Sequence, residues 1–241
     1  MGTYRLYELL WGGLDWLYPP VCGGCGRSGA RWCVECQRQV TPVPDPICAV
    51  CGLPVGCVGL CEGCQLCLPP FAALRSWVVF EGPVRSALHR LKYRRNVALG
   101  DALARPMADF CRLLDWHVEV VVPVPLGKRR LQERGYNQVG LIAMPLAALN
   151  RWHYAPRALC RVRETKSQVG LSAVERRENM QGAFRADSRP VGGRVILLLD
   201  DVATTGATLS ACAEALLSAG AKAVFALTLA RALPRHGLQN V

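Results

Sequence analysis

Asp200 and Asp201 stand side by side after the apolar run Val195-Ile-Leu-Leu-Leu199, and Thr204-Thr205-Gly206-Ala207-Thr208 follows across Val202 and Ala203. Adjacent carboxylates accept hydrogen bonds from a pair of sugar hydroxyls, directly or through a metal. A hydroxyl- and glycine-rich turn that opens a helix offers backbone N–H groups and a positive helix end to a phosphate. The spacing sets diol and phosphate recognition about as far apart as they lie on one ribose 5-phosphate. Asp200, Asp201, Ala203, Thr204, Thr205, Gly206, Ala207 and Thr208 are therefore candidate binding residues for a phosphorylated pentose. An ordinary capped strand–turn–helix shares the outline, but it has no need of two acids and three threonines in register.

A second chemistry is written in cysteine. Ten of the 13 cysteines fall within residues 22–67, mostly as C-x-x-C pairs. Each such turn puts two sulfurs on one side of a tight knuckle, and two knuckles complete a tetrahedron around zinc. Cys22, Cys25, Cys33 and Cys36 form one candidate ligand set; Cys48, Cys51, Cys61 and Cys64 form another. The spacing also admits an interleaved arrangement, and the extra Cys57 and Cys67 offer substitutes for the last pair. A closed four-thiolate site leaves no position for substrate, so the expected zinc, two ions in all, is structural. Cys111, Cys160 and Cys212 lie on apolar segments and read as buried, unliganded thiols.

The elements that must position these groups follow from pattern. With 241 residues, 51% hydrophobic and 20% charged, the chain suits a globular protein with a substantial core. No apolar run reaches the roughly 18–20 residues that span a bilayer. Tyr7, Leu10, Trp11, Leu14 and Leu17 follow helical spacing, so residues 1–21 read as an apolar helix docked on its own protein. Arg5, Glu8 and Asp15 interrupt that stretch, which argues against a signal peptide. Without an export signal the cysteines read as metal ligands in a reducing, cytoplasmic compartment rather than as disulfides. Residues 22–68 read as a double zinc ribbon and 70–241 as an α/β body. In the body, strands are expected at 76–80, 119–124, 158–162, 194–199 and 222–230. Helices are expected at 83–93, 99–115, 136–149, 172–181 and 206–219. Apolar strands alternating with helices imply a parallel sheet covered on both faces, with ligands at the carboxyl ends of its strands.

Charge is unevenly divided. Residues 1–68 carry four basic and five acidic groups, whereas residues 69–241 carry 25 and 13, a net +12 within the overall +11. That excess indicates anionic partners. One basic segment leaves a proline-stiffened strand: Val124, Pro125, Lys128, Arg129 and Arg134 read as a pyrophosphate-binding loop. Arg163, Lys166 and Gln168 lie in a polar, aperiodic stretch that reads as a lid over a charged reaction centre. Arg90, Lys92, Tyr93, Arg94 and Arg95 mix cations with an aromatic ring, as single-stranded nucleic acid requires.

The acidic run with its Thr-Thr-Gly-x-Thr loop resembles the 5-phosphoribosyl-1-pyrophosphate (PRPP) motif of type I phosphoribosyltransferases. Over nearly the whole chain after residue 17 the resemblance is to the ComF family of competence proteins. It is carried by the cysteine ribbon, Leu91-Lys92-Tyr93, and Pro123-Val-Pro-Leu126 with Arg134-Gly-Tyr-Asn137-Gln138. Arg163-x-Thr165-x-x-Gln168-x-x-Leu171, Glu175-Arg176-x-x-Asn179 and the Asp-Asp-Val-x-Thr-Thr-Gly-Ala-Thr loop complete the match. The chain departs from the pattern at Tyr136, at Ala203 and in the additional Cys57 and Cys67.

The resemblance implies a type I phosphoribosyltransferase-like body, PRPP with Mg2+ as ligand, and a part in natural transformation. It further implies handling of single-stranded DNA on the cytoplasmic side of the inner membrane, in company with other competence proteins. Three readings share PRPP recognition: a DNA-uptake protein, a phosphoribosyltransferase whose acceptor the sequence does not name, and a PRPP sensor without turnover.

Overall fold

The computed structural model describes residues 19–94, 96–163, 179–180 and 182–233. Its centre is a five-stranded parallel sheet in the order β1-β7-β6-β2-β3, formed by β1 (Ala73–Val79), β7 (Ala223–Arg231), β6 (Val195–Ala203), β2 (Val120–Pro123) and β3 (His153–Tyr154). Central β6 is apolar on both faces because both faces are covered: Ile196 and Leu198 enter one core, Leu197 and Leu199 the other. Against the first face packs α8 (Ala207–Ser218), through Leu209, Cys212, Ala213 and Leu216 at helical spacing.

On the other face lie α3 (Gly82–Tyr93), α4 (Leu99–Arg112) and α6 (Gln138–Asn150). Pro83 opens α3, where its missing N–H costs nothing. Gly100 lets α4 and α6 touch, since a Cβ there would sit 2.7 Å from the Leu141 carbonyl oxygen. The expected architecture, a parallel sheet with helices on both faces plus an N-terminal cysteine module, is the one observed.

Several elements differ from the sequence expectations. The basic segment after β2 is a helix, α5 (Lys128–Arg134), ended by Gly135 in the left-handed region at φ 81°. The strand expected at 158–162 is β4 (Leu159–Arg161), which pairs antiparallel with β5 (Phe184–Ala186) in a separate two-stranded sheet against α8. A short α7 (Ser188–Val191), capped by the Asp187 side chain, leads into β6. The helices expected at 1–21 and 172–181 fall almost entirely outside the described residues.

The cysteine module is built twice over. In each half a knuckle is closed by a backbone bond, Gly26 N–H to Cys22 C=O in one and Gly52 N–H to Cys48 C=O in the other. In each half a five-residue helix begins at a cysteine cap: Cys33 before α1 (Val34–Arg38) and Cys61 before α2 (Glu62–Leu66). The first half leans on α3, where Arg90 Nη1 donates to the Cys22 carbonyl at 2.6 Å. The second docks on the outer edge of β1, where the Leu74 N–H bonds Val50 C=O at 2.7 Å.

Candidate functional site

The acids sit inside β6 rather than beyond it, level with Thr228 of β7. They face different surroundings. Asp201 is buried, and its Oδ2 accepts a hydrogen bond from Gln138 Nε2 at 2.6 Å and an ion pair from Lys92 Nζ at 3.0 Å. Gln138 in turn accepts a bond from Arg134 Nη1, and that guanidinium lies 5.4 Å over the Tyr93 ring. Arg134, Gln138, Asp201 and Lys92 thus form one chain of charge-assisted contacts joining α5, α6, β6 and α3.

Asp200 is half-buried, and its Oδ1 accepts the Asp201 backbone N–H at 2.8 Å. Burial, reinforced by the charge of Asp201, pushes its carboxyl up to about 7, against the opposing pull of that N–H and of Lys92. A carboxylate whose charged form is disfavoured by burial and by a like charge beside it is a candidate for contact with a ligand.

Beyond the acids the turn is open. Thr205 is exposed, Thr204 and Thr208 are half-buried, and Gly206 caps α8 in the left-handed region at φ 81°. A glycine cap has no side chain to occupy the helix terminus, and the Thr205 hydroxyl reaches the Ala207 N–H only at 3.4 Å. The positive end of a 12-residue helix therefore faces a turn lined with hydroxyls.

Opposite stands the β2 exit. The Val124 N–H still pairs with Leu199 C=O, and Asn137 Nδ2 holds the Val124 carbonyl at 2.9 Å, so Val124, between its two prolines, is fixed through both of its backbone polar groups. Lys128 and Arg129 are exposed on α5, with Arg129 paired to Glu133 one turn on. Lys92, Tyr93, Arg130, Glu133 and Arg134 line a cavity of about 160 Å3. A larger groove of about 800 Å3 shares Lys92 and Tyr93 and continues along α3 past His89, Arg85 and Arg94. His89 and Tyr93 are in contact, with their rings tilted at 47° and centroids 4.9 Å apart.

The expected nucleic-acid group is therefore divided by the structure. Tyr93 and Arg94 are exposed in the groove, while Lys92 belongs to the Asp201 network and Arg90 is committed to the Cys22 carbonyl. Tyr136 donates to the Leu91 carbonyl at 2.6 Å and so braces α3. Arg95 lies outside the described residues, as do Lys166 and Gln168 of the expected lid. Arg163 is exposed just after β4 and donates to the Asn179 carbonyl at 2.9 Å. Sequence reasoning quoted Gln138 without giving it a role and passed over His89. The available signal for Gln138 was an amide in the first turn of an otherwise apolar helix.

The cysteines form two clusters, and the pairing is consecutive. The sulfurs of Cys22, Cys25, Cys33 and Cys36 lie within 4.8 Å of one another, as do those of Cys48, Cys51, Cys61 and Cys64. A tetrahedron with Zn–S bonds of about 2.3 Å has edges of about 3.8 Å. The Cys22–Cys36, Cys25–Cys33 and Cys51–Cys61 sulfur separations of 3.6, 3.7 and 3.5 Å match that edge. Burial pushes the Cys22 and Cys48 thiols up, but backbone N–H groups converging on each sulfur outweigh it and bring both down to about 6. Burial and the neighbouring cluster thiols push Cys36 and Cys64 up instead, and on the geometry of their sulfurs both sets fit structural zinc. Cys57 and Cys67 are exposed and belong to neither cluster. Cys111 and Cys212 are buried as expected; Cys160 is instead exposed on the short β4.

A double zinc ribbon domain model matches residues 13–65. The chain is 34% identical over 225 residues to the DNA utilization protein YhgH of Escherichia coli, covering 89% of this chain and 98% of that protein. It is 30% identical over 213 residues to competence protein F of Haemophilus influenzae, covering 83% and 90%. A solved allosteric regulatory enzyme of purine biosynthesis aligns at 18% identity with a TM-score of 0.38, over 54% of this chain and 26% of that one. Such likeness along almost the full length, together with the paired tetra-cysteine clusters ahead of a parallel sheet, means that the chain belongs to the ComF family of competence and DNA-utilization proteins.

Proposed function

We propose that this chain binds PRPP with Mg2+ at the carboxyl end of β6 and serves in the use of incoming DNA. The observation that carries the first half is the placement of Asp200: a half-buried carboxylate near the carboxyl end of β6, pushed up to about 7, shortly before a hydroxyl-lined turn whose helix is capped only by a glycine. In this reading Asp200 accepts the ribose hydroxyls, and residues Thr204–Thr208 hold the 5-phosphate. Asp201 acts behind it, fixing Lys92 and Gln138 toward the pyrophosphate side. Val124, Pro125, Lys128, Arg129 and Arg134 supply the neighbouring wall and its cations.

The second half rests on the family's competence and DNA-utilization members and on the basic groove along α3. Exposed Tyr93 and Arg94, with His89 and Arg85, give stacking faces among cations, which is what single-stranded DNA requires. Lys92 and Tyr93 border both cavities, and Lys92 also pairs with Asp201, which links the groove to the acids of β6. Among the described residues no helix is long and apolar enough to cross a membrane. Contact with other competence proteins at the inner membrane, on its cytoplasmic face, belongs to the same proposal.

Titration calorimetry of the zinc-loaded protein with PRPP and Mg2+ tests the ligand; saturable heat is expected, and its absence rejects the reading. Binding of a labelled single-stranded oligonucleotide is expected to weaken as a steep power of salt concentration. A flat salt response would remove the groove from the proposal.

A further inference from the structure

Arg231, the last residue of β7, is 2% exposed, and its Nε and Nη1 are buried without a hydrogen-bond partner among the described residues. An uncompensated guanidinium in that position is costly, so something must answer it. The groups that face it are the thiols of Cys51, Cys61 and Cys48 in the second cysteine cluster. Arg75 of β1 faces Cys48 and Cys51 of the same cluster and is anchored by bonds to the carbonyls of Leu74 and Ala49. Four thiolates around Zn2+ carry a net charge of −2. Two guanidinium groups balance it.

The same two strands reach the phosphate turn. Arg231 is the register partner of Ala203, and the Ala232 N–H bonds the Ala203 carbonyl at 2.9 Å, immediately before Thr204. Next to it, the knuckle glycine Gly52 presses on β1 so closely that a Cβ would sit 2.4 Å from the Leu74 carbonyl oxygen. The Leu74 side chain in turn reaches to 3.9 Å from the place where a Cβ on Gly206 would lie. The second ribbon is thus one residue away from the turn along two separate paths. The first ribbon meets the body elsewhere, through Arg90 to α3 and through Trp32, whose ring lies edge-on 6.5 Å from that of Trp77 in β1, and it touches neither Arg231 nor Leu74 by these links.

We infer that Arg231 is a positioning residue which couples zinc in the second ribbon to the order of the Thr204–Thr208 turn, so that loading of that one metal sets the readiness of the anion site. The zinc-bound thiolates neutralise the buried guanidinium, Arg231 fixes the end of β7, and β7 fixes Ala203. Withdrawal of the metal unties the four sulfurs from one another, removes the fixed partner that packs on Arg231 and Leu74, and loosens the turn. Calling the turn an anion site rests on the function proposed above; the coupling itself does not.

The test is amide hydrogen exchange of the full zinc-loaded chain without ligand, read at residues 203–208 and paired with metal analysis. Arg231→Met is expected to raise exchange there at least about tenfold while both zinc ions stay bound, and Arg231→Lys to recover most of the protection. Cys51→Ser is expected to lose one zinc and loosen the same residues, whereas Cys25→Ser loses one zinc and leaves them protected. Unchanged exchange in Arg231→Met, or equal loosening by the two cysteine variants, overturns the coupling. If Arg231→Met does not fold, the cysteine pair decides alone. Protection that follows this pattern in a protein that takes up no PRPP would keep the coupling and reject only the ligand.

Discussion

Asp200→Asn is expected to weaken binding of PRPP with Mg2+ by about tenfold to a hundredfold while making the ligand-free protein more stable above pH 7. The binding loss follows from replacing a charged acceptor with a neutral amide whose nitrogen cannot accept. The gain in stability follows from the raised carboxyl. In the unfolded chain an aspartate ionises near 3.8, whereas burial and the neighbouring Asp201 move Asp200 in the folded chain to about 7. Between those values the native state holds a proton that the unfolded state has released, so stability falls as pH rises through the window. Above it the whole cost of the buried charge is present.

Asparagine carries no such charge at any pH. Its advantage should grow from pH 6 to about 7 and then level off, at on the order of 2 kcal/mol once screening by the half-exposed surroundings is allowed for. For a chain of this size that is a rise of about 4–8 °C in the calorimetric midpoint at pH 8. The pH range stays above the region where thiolate protonation would release zinc. A variant no more stable than the parent at pH 8, or one that binds PRPP undiminished, would refute the assignment of Asp200. Stability gained as binding is lost is the mark of a residue kept for a ligand rather than for the fold.

Cys33→Ser should remove one equivalent of zinc and cost the first ribbon its folding, a loss of several kcal/mol because metal binding there is folding free energy. Cys33 does two things. Its sulfur lies 3.7 Å from that of Cys25, and the same sulfur caps α1 by accepting the Cys36 N–H at 3.4 Å. Serine retains a cap but is a poor zinc ligand, so the result separates the two roles. The loss should reach α3, since Arg90 would no longer have a fixed Cys22 carbonyl to hold. Metal analysis by mass spectrometry with a denaturant melt reads both effects. Cys57→Ser, at an exposed position outside both clusters, is the control and should keep two zinc ions. Full loading of the Cys33→Ser protein would reject the ligand set.

Much of this was readable beforehand, for physical reasons that differ by element. The apolar run of β6 with its acids and threonines announces a buried strand that leads to a polar site; the helix lies where expected, while the strand runs on through both acids to Ala203, because pairing with β7 continues that far. The C-x-x-C spacing announces the zinc module but leaves two pairings open. Folding closes the choice, because each knuckle is completed by the five-residue helix that follows it. Lys128–Arg134 carries no apolar periodicity, so nothing in its pattern distinguishes a helix from a basic loop. Two- and three-residue strands such as β3 and β5 are too short for alternation to register. The Asp201 network was invisible for another reason. Gln138 lies 63 residues from the carboxylate it holds, and only the sheet brings them together. Lys92 looked like a cation for nucleic acid because its counter-charge sits in a distant strand.

The ribbon's grip on β1 has a consequence for how the protein can be handled. β1 is the last strand of the sheet, and its outward hydrogen-bonding groups are engaged by Val50 C=O at Leu74 and by Thr41 C=O at Val79. Trim away the cysteine module at the Pro69-Pro70 junction and those groups become a raw template for any extended chain that drifts past. The module is a selvedge as much as a metal store: without it the body would fray into aggregates by strand addition.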